Sequence, residues 1–463
     1  MKRKSLYLPV LVTTLILVMA APLINVGAVT ACRGSAHIIL YPSGGDDTAQ
    51  IQAAFDTVAG KKRSTIELAS GVFTVSEPIQ AADFDGTFKG AGKDLTTVQT
   101  VDEFGIGRLP LVPFGYVFAF YQENKGTSRR TATKVALSDM TIQAVGNTQD
   151  WQQFSYTFKF YLFLVWITGG YDVEEIGPGT YHVEGRETYV SSSFSRMRFL
   201  GDPTADWGVA DGISINTLGA LDIVDGNVDP YFMGMGTKPL VGKHTVTDSE
   251  FEWVLRYSCN PMGLYDSTFK FDRNIVSYSY FPGGGILGCF NIYNSYVGVS
   301  HCETVHSGLG VVVNGNSYFQ VDGVDWTPSK YYFGHNTIQL VPGVPWGGLE
   351  ILDRTDEGEK LYSIDLVMFR NTFICEGSTA IWASFVDRAR LIKNTFEGTG
   401  PVAIEVDGPS DRWWILCNDF DDFTASAADI YLGPESTNCF AVVHDTDTVE
   451  DLGTDNRIIR LPF

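Results

Sequence analysis

The residues best suited to chemistry fall in two groups. The first is Ala210-Asp211-Gly212-Ile213, with Asp206 and Trp207 just upstream. Two carboxylates beside an indole suit glycoside cleavage, in which one acid and one base flank the bond and an aromatic ring stacks on the sugar. The same pair could hold a hard cation through oxygen. The competing reading is a turn carboxylate preceding a strand. The second group is Arg273, His335, Arg370 and Lys393, each directly before an asparagine in a recurring phrase. Aligned cations on an acidic chain could grip a polyanion such as a uronic-acid polysaccharide, one carboxylate at a time. The alternative is that they pair with acids on neighbouring coils. Neutralising Arg370 and Lys393 tests this, because a substrate track would lose uronate affinity.

Other polar groups are less pointed. His301, Glu303 and His306 are acid–base types, but no nucleophile-elbow order accompanies them. Asp419, Asp421 and Asp422, like Asp445 and Asp447, match no calcium-loop pattern and read as solvated turns, so no cofactor is expected. Cysteines 259, 289, 302, 375, 417 and 439 form no Cys-x-x-Cys pair, which argues against zinc and fits buried thiols.

The chain has 463 residues with 33 basic and 54 acidic, a net charge of −21. The acid excess disfavours nucleic acid as a partner. Aromatics are 13% and glycines number 48, which suits turns and strands over a helical bundle. Lys2, Arg3 and Lys4 precede a charge-free stretch from Ser5 to Cys32, the pattern of an export signal in residues 1–31. A cleaved leader and a retained membrane anchor both remain open, since the stretch is long enough to span a bilayer. Removing residues 1–31 loses three cations and makes the charge −24. Either way the protein is expected outside the cell or on its surface, touching membrane only at this end.

Asp46-Asp47-Thr48 opens a short helix whose Ile51, Ala54, Phe55 and Val58 make one apolar face, with the Asp and Thr side chains as caps. Strand-like segments follow. Four later phrases share an apolar–x–Asn–x–apolar pattern around Asn336, Asn371, Asn394 and Asn418, and Arg273-Asn274-Ile275 is a weaker copy. Asn371, Asn394 and Asn418 are 23 and 24 residues apart. A period in the twenties rich in β-branched and aromatic residues indicates a solenoid. Its asparagines would stack in one column, bonding backbone groups and each other. Residues 101–133, 146–191 and 341–360 break the rhythm and read as loops or hairpins. The second of these holds Trp151 among many aromatics, which could wall a glycan groove. The polar stretch 444–457 is expected to cover the far end.

Residues 45–54, then 67–73, then Lys89-Gly90-Ala91-Gly92, resemble the opening of pectate-lyase-like right-handed parallel β-helix proteins. The resemblance covers residues 44–100. It implies an all-β, single-stranded right-handed parallel β-helix over residues 32–463 with an N-terminal capping helix. By the same likeness, a lyase or hydrolase acting on extracellular polysaccharide is expected, with a non-enzymatic surface adhesin or glycan-binding protein as the rival. Arg or Lys is the base in several resembling lyase families, which makes Arg370 and Lys393 candidates beside Asp206 and Asp211. The Asp211 tetrad slightly resembles the Asn-Thr-Asp-Gly-Ile motif of polygalacturonases, but Val209-Ala210 replaces Asn-Thr and the partner motifs are missing. Val29-Thr30-Ala31-Cys32 resembles a lipobox, which would make Cys32 a lipidated residue; an ordinary signal-peptidase site after Ala31 fits equally.

Overall fold

A computed structural model describes residues 26–32, 34–102, 104, 107–109, 112–145, 162–202, 209–216, 220–224, 227–228, 238–278, 285–290, 292–307, 309–316, 329–340, 349–354, 365–384 and 386–462. The leader residues 1–25, Trp151, Asp206 and Trp207 lie outside them.

Each coil contributes up to three short strands, and equivalent strands of successive coils pair in parallel. The first ladder runs from Ser35–Leu40 through Lys62–Leu68, Asp85–Lys89 and Thr133–Ser138 to Phe440–His444 and Arg457–Leu461. The second includes Gly71–Val75, Thr96–Thr100, Thr141–Gln143 and Arg198–Leu200. The third includes Ile79–Ala82, Val112–Tyr121, Leu162–Thr168, Val209–Asn216 and Val254–Pro261. The fold is a right-handed parallel β-helix.

Strand alternation sends one set of side chains inward. On the third ladder Ile79, Phe118, Val165, Ile213, Cys259 and Leu287 stand in register as a column of the core. The aromatics that end the last three asparagine phrases make a second inward stack. Phe373, Phe396 and Phe420 lie ring over ring at 5.3 and 5.0 Å. Such contacts add about 1 kcal/mol each beyond burial, which gives the phrase a physical reason to recur.

The helix Thr48–Val58 covers the first coils. Its buried Phe55 meets Phe84, Phe88 and Phe120 at 5.2, 5.1 and 5.6 Å. Asp47 does not cap the helix with its side chain. Its carboxylate accepts from the amides of Ser43 and Thr74 at 2.9 and 3.1 Å, tying helix to coil, and Asp46 takes the Thr48 amide at 2.9 Å. Among the described residues no helix is long and apolar enough to cross a membrane.

Three expectations change. Within 101–133 and 146–191, Val112–Tyr121 and Leu162–Thr168 are coil strands, because their buried apolar runs complete the core. The projecting part is instead Tyr171–Gly177 and Thr180–Gly185, an antiparallel hairpin extended by Ala220–Val224 and Asn227–Val228 into a four-stranded sheet. At the far end, 444–457 is no separate cover, since Val449–Asp451 pairs in parallel with the preceding coil. Of the 341–360 break, Leu349–Arg354 is a third-ladder strand.

Candidate functional site

Two polar columns were expected to matter, and the structure puts them in different places. The cations before the asparagines occupy the corner between the first and second ladders. There Arg273, His335, Arg370, Lys393 and Cys417 all adopt left-handed backbone, with φ between 52° and 59°. This conformation turns the chain sharply and throws each side chain outward, so the column belongs to a corner and not to a strand face. The same corner carries Asp139, Arg196, Asp248 and His301.

Opposite charges alternate through part of it. Arg196 forks onto Asp139 at 2.6 and 2.9 Å, and Arg273 onto Asp248 at 2.7 and 2.9 Å. The guanidiniums hold both carboxyls below the usual range. His301 and His335 then stack at 5.2 Å, and the Arg370 guanidinium sits 5.0 Å from the Phe369 ring. Arg273 is thus paired with acid on the adjacent coil.

Just inside this corner the asparagines form the expected ladder. The side-chain amide of Asn336 donates to Asn371 Oδ1, Asn371 to Asn394 and Asn394 to Asn418, each at 2.9 Å. Each oxygen also accepts the backbone N–H of the preceding asparagine, at 3.1, 3.0 and 2.9 Å.

Asp211 stands on the third ladder, away from these columns. In Val209–Asn216 the register shifts between Val209 and Asp211. Gly212 faces the core, where an added Cβ would meet Phe251 at 2.8 Å, and Ile213 follows it inward. Two successive inward residues put Asp211 and Ser214 on the same outward face. Neighbouring coils bring partners into register. Tyr116, Phe163, Asp211 and Tyr257 make one outward column, and Gln80, Ala119, Trp166, Ser214 and Asn260 the next.

This face is outward yet buried. Asp211 is 0% exposed and Asn260 1%. The four-stranded sheet approaches the same ladder where Asn227–Val228 runs near Val112–Tyr121. Asn260 Nδ2 donates to Asp211 Oδ2 at 3.0 Å, Trp166 Nε1 to Asn216 Oδ1 at 2.8 Å, and Gln80 Nε2 to the Tyr116 hydroxyl at 3.1 Å. Tyr116 and Trp166 rings are 6.0 Å apart, and Phe163 lies 6.1 Å from Trp166. Burial pushes the phenols of Tyr116 and Tyr171 well above their ordinary value, and Tyr121 and Tyr116 add to the effect on Tyr171. The arrangement offers a carboxylate, amides and hydroxyls walled by aromatic rings.

Arg370 and Lys393 do not approach Asp211. They lie on another corner, and Arg370 is five coils further on, about 24 Å along the axis. Sequence reasoning missed a second acidic pair on the Asp211 face. Trp382, Glu405 and Tyr431 are in register on successive coils, and Asp407 follows Glu405 at the next outward position. Burial first, and then the charge of Asp407, raises the Glu405 carboxyl. Two acids at i, i+2 after an apolar strand were a visible signal. Among the described residues no group of His, Cys, Asp and Glu could hold a metal ion. Cys259, Cys289, Cys302, Cys375 and Cys439 are buried free thiols, whereas Cys417 is exposed at the corner.

No protein-family model matches the chain, and no curated protein matches it in sequence. Solved structures do match in shape. One is a DFA-IIIase from Arthrobacter chlorophenolicus A6 in complex with DFA-III, at TM-score 0.53 and 11% identity, covering 90% of this chain and 97% of that one. The chain has the pectate-lyase-like right-handed parallel β-helix fold. Tailspike protein 3 of bacteriophage CBA120 matches at TM-score 0.49 and 12% identity over 90% of this β-helix. The catalytic unit of a GH87 α-1,3-glucanase from Streptomyces thermodiastaticus strain HF3-3 matches at 0.44 and 15% over 89%. This β-helix spans 59% of the tailspike and 66% of the glucanase.

Proposed function

We propose that the protein is exported and acts on extracellular polysaccharide at the outer face of its third ladder. The carrying observation is Asp211, bonded to Asn260 and ringed by Tyr116, Phe163, Trp166 and Tyr257 on that face. Aromatic walls with a few placed polar groups are the usual means of holding a sugar. The β-helix of the DFA-IIIase, a protein solved with DFA-III, supports the reading at the level of fold. The face continues to Trp382 and Tyr431, which gives a polymer further rings to lie on.

A hydrolase type is better supported than a lyase. A lyase of the resembling kind takes its base from Arg or Lys, and Arg370 and Lys393 stand on a different corner. Asp211 is the acid–base carboxyl in this reading. One observation favours the non-enzymatic alternative, a surface glycan-binding protein. Cleavage takes two carboxylates, and the described part of the Asp211 cluster supplies one. The leader keeps its three readings: cleavage, a retained anchor, or lipid on Cys32.

The test is to incubate purified protein with neutral and uronate glycans, following reducing ends and ultraviolet absorbance. A hydrolase raises reducing ends alone, a lyase raises both, and a binder raises neither but retains affinity. Loss of turnover in Asp211→Asn, with folding intact, is expected; full turnover in that variant would remove Asp211 from the chemistry.

A further inference from the structure

Three polar groups on the Asp211 face are buried without a partner. Among the described residues nothing hydrogen-bonds to Asn260 Oδ1, Thr168 Oγ1 or the Tyr171 hydroxyl. Asn260 and Thr168 are 1% and 0% exposed. Such atoms are uncommon in folded proteins, because a buried polar group left unmet loses the bonds it had to water. Their placement is not scattered. Thr168 is in register with Asn216 and Asn260 with Ser214, two positions from it. Tyr171 follows Thr168 by three residues and opens the hairpin that leaves this ladder.

From these groups we infer that the face takes an uncharged, hydroxyl-rich sugar, and that it rejects uronate. The inference rests on the polysaccharide reading and narrows it. Asn260 fixes the argument. Its Nδ2 must donate to the Asp211 carboxylate, so its Oδ1 points elsewhere as an acceptor. Asp211 is itself an acceptor when ionised. A sugar hydroxyl can donate to either oxygen, whereas a carboxylate brings only more acceptors. Thr168 and Tyr171 hydroxyls can both donate and accept, so they suit hydroxyls equally.

Charge points the same way. A uronate would meet like-charge repulsion from an ionised Asp211 in a water-poor site, and the described residues of both outward columns include no Lys or Arg to attract it. Arg186 lies near, in the link between the hairpin and the strand Thr188–Ser195, but it is committed to the carbonyls of Gln122 and Glu123 and to Asp172. The corner cations lie away from this face, and Arg273 there is paired with Asp248. Enclosure adds a size preference: side chains this buried admit the end of a glycan more readily than its middle.

The experiment measures binding by calorimetry with matched di- to tetrasaccharides, glucose against glucuronate, galactose against galacturonate and mannose against mannuronate. At least one neutral sugar should bind tenfold or more tightly than its uronate counterpart. Equal or tighter uronate binding would overturn the inference while leaving the polysaccharide reading intact. Binding of neither class would overturn both. Tyr171→Phe and Thr168→Val supply the second arm. Each deletes an unmet hydroxyl, so the melting temperature should hold or rise, while neutral-sugar affinity should fall about tenfold, as expected for a lost hydrogen bond to a buried partner. Wild-type affinity in both variants would sink the assignment.

Discussion

The asparagine ladder and the Asp211 face are both buried and polar, yet they are finished differently. In the ladder every amide has its partners, and the oxygens of Asn371, Asn394 and Asn418 each serve two donors from the coil before. On the Asp211 face three groups have none among the described residues. A column that closes on itself is built for stability, because its bonds all belong to the fold. A cluster that stays open carries a cost which folding alone does not recover. The contrast separates architecture from function without any appeal to relatives.

The largest effect should come from breaking the closed column. Asn371→Ala removes the acceptor of the Asn336 backbone and side-chain amides, and the donor to Phe333 O. With the bond to Asn394 Oδ1 also gone, four buried groups lose a partner, so stability should fall by about 4 kcal/mol, read from the urea midpoint. A loss below 1 kcal/mol would show that water replaces the ladder freely. Disturbing the open cluster should act on function instead. Asp211→Asn keeps an acceptor for Asn260 and should leave the midpoint unchanged. Turnover should drop at least about a hundredfold if Asp211 is the acid–base carboxyl, a typical scale for general acid–base catalysis.

The ladder was legible because one short phrase repeats at nearly fixed spacing, so Asn371, Asn394 and Asn418 announce their own stacking. The face was not. Tyr116, Trp166, Asp211 and Asn260 come from four strands, each about 45–50 residues from the next, separated by insertions of unequal length. No local pattern marks them, and only Asp211 stood out, through its glycine neighbour. Glycine matters there because Gly212 must face the core against Phe251, which swings Asp211 outward. The cation column was placed by strand alternation, whereas its residues sit at left-handed corners, a conformation that Arg and Lys do not advertise.

His244 offers a third kind of buried polar group, inside the core. Its Nδ1 is 2.9 Å from Ser192 Oγ, and its Nε2 meets no partner among the described residues. Burial pushes its pKa down to about 3. The folded protein therefore holds it neutral, while the unfolded chain protonates it below about 6.5. Its contribution is full above that value and is lost as pH falls toward 3. At pH 5 the loss should be about 2 kcal/mol, and His244→Met should flatten this part of the urea midpoint against pH. An unchanged slope would show that acid sensitivity comes from the paired carboxylates, such as Asp139 and Asp248.

The smallest effect, and the finest division between the two regions, concerns the corner. Lys393 is exposed at φ 56°, and among the described residues its side chain forms no ion pair like that of Arg273. Left-handed backbone costs a non-glycine residue about 1–2 kcal/mol. Glycine removes that cost but adds about 0.5–1 kcal/mol of chain entropy. Lys393→Gly should therefore be neutral or stabilising by less than 1 kcal/mol at the urea midpoint, because the backbone bond from Lys393 N to Leu416 O stays. The same variant should leave saccharide binding untouched, since the ligand face is on another ladder. A clear fall in uronate affinity would instead restore the corner cations as a substrate track and reverse the assignment of the two regions.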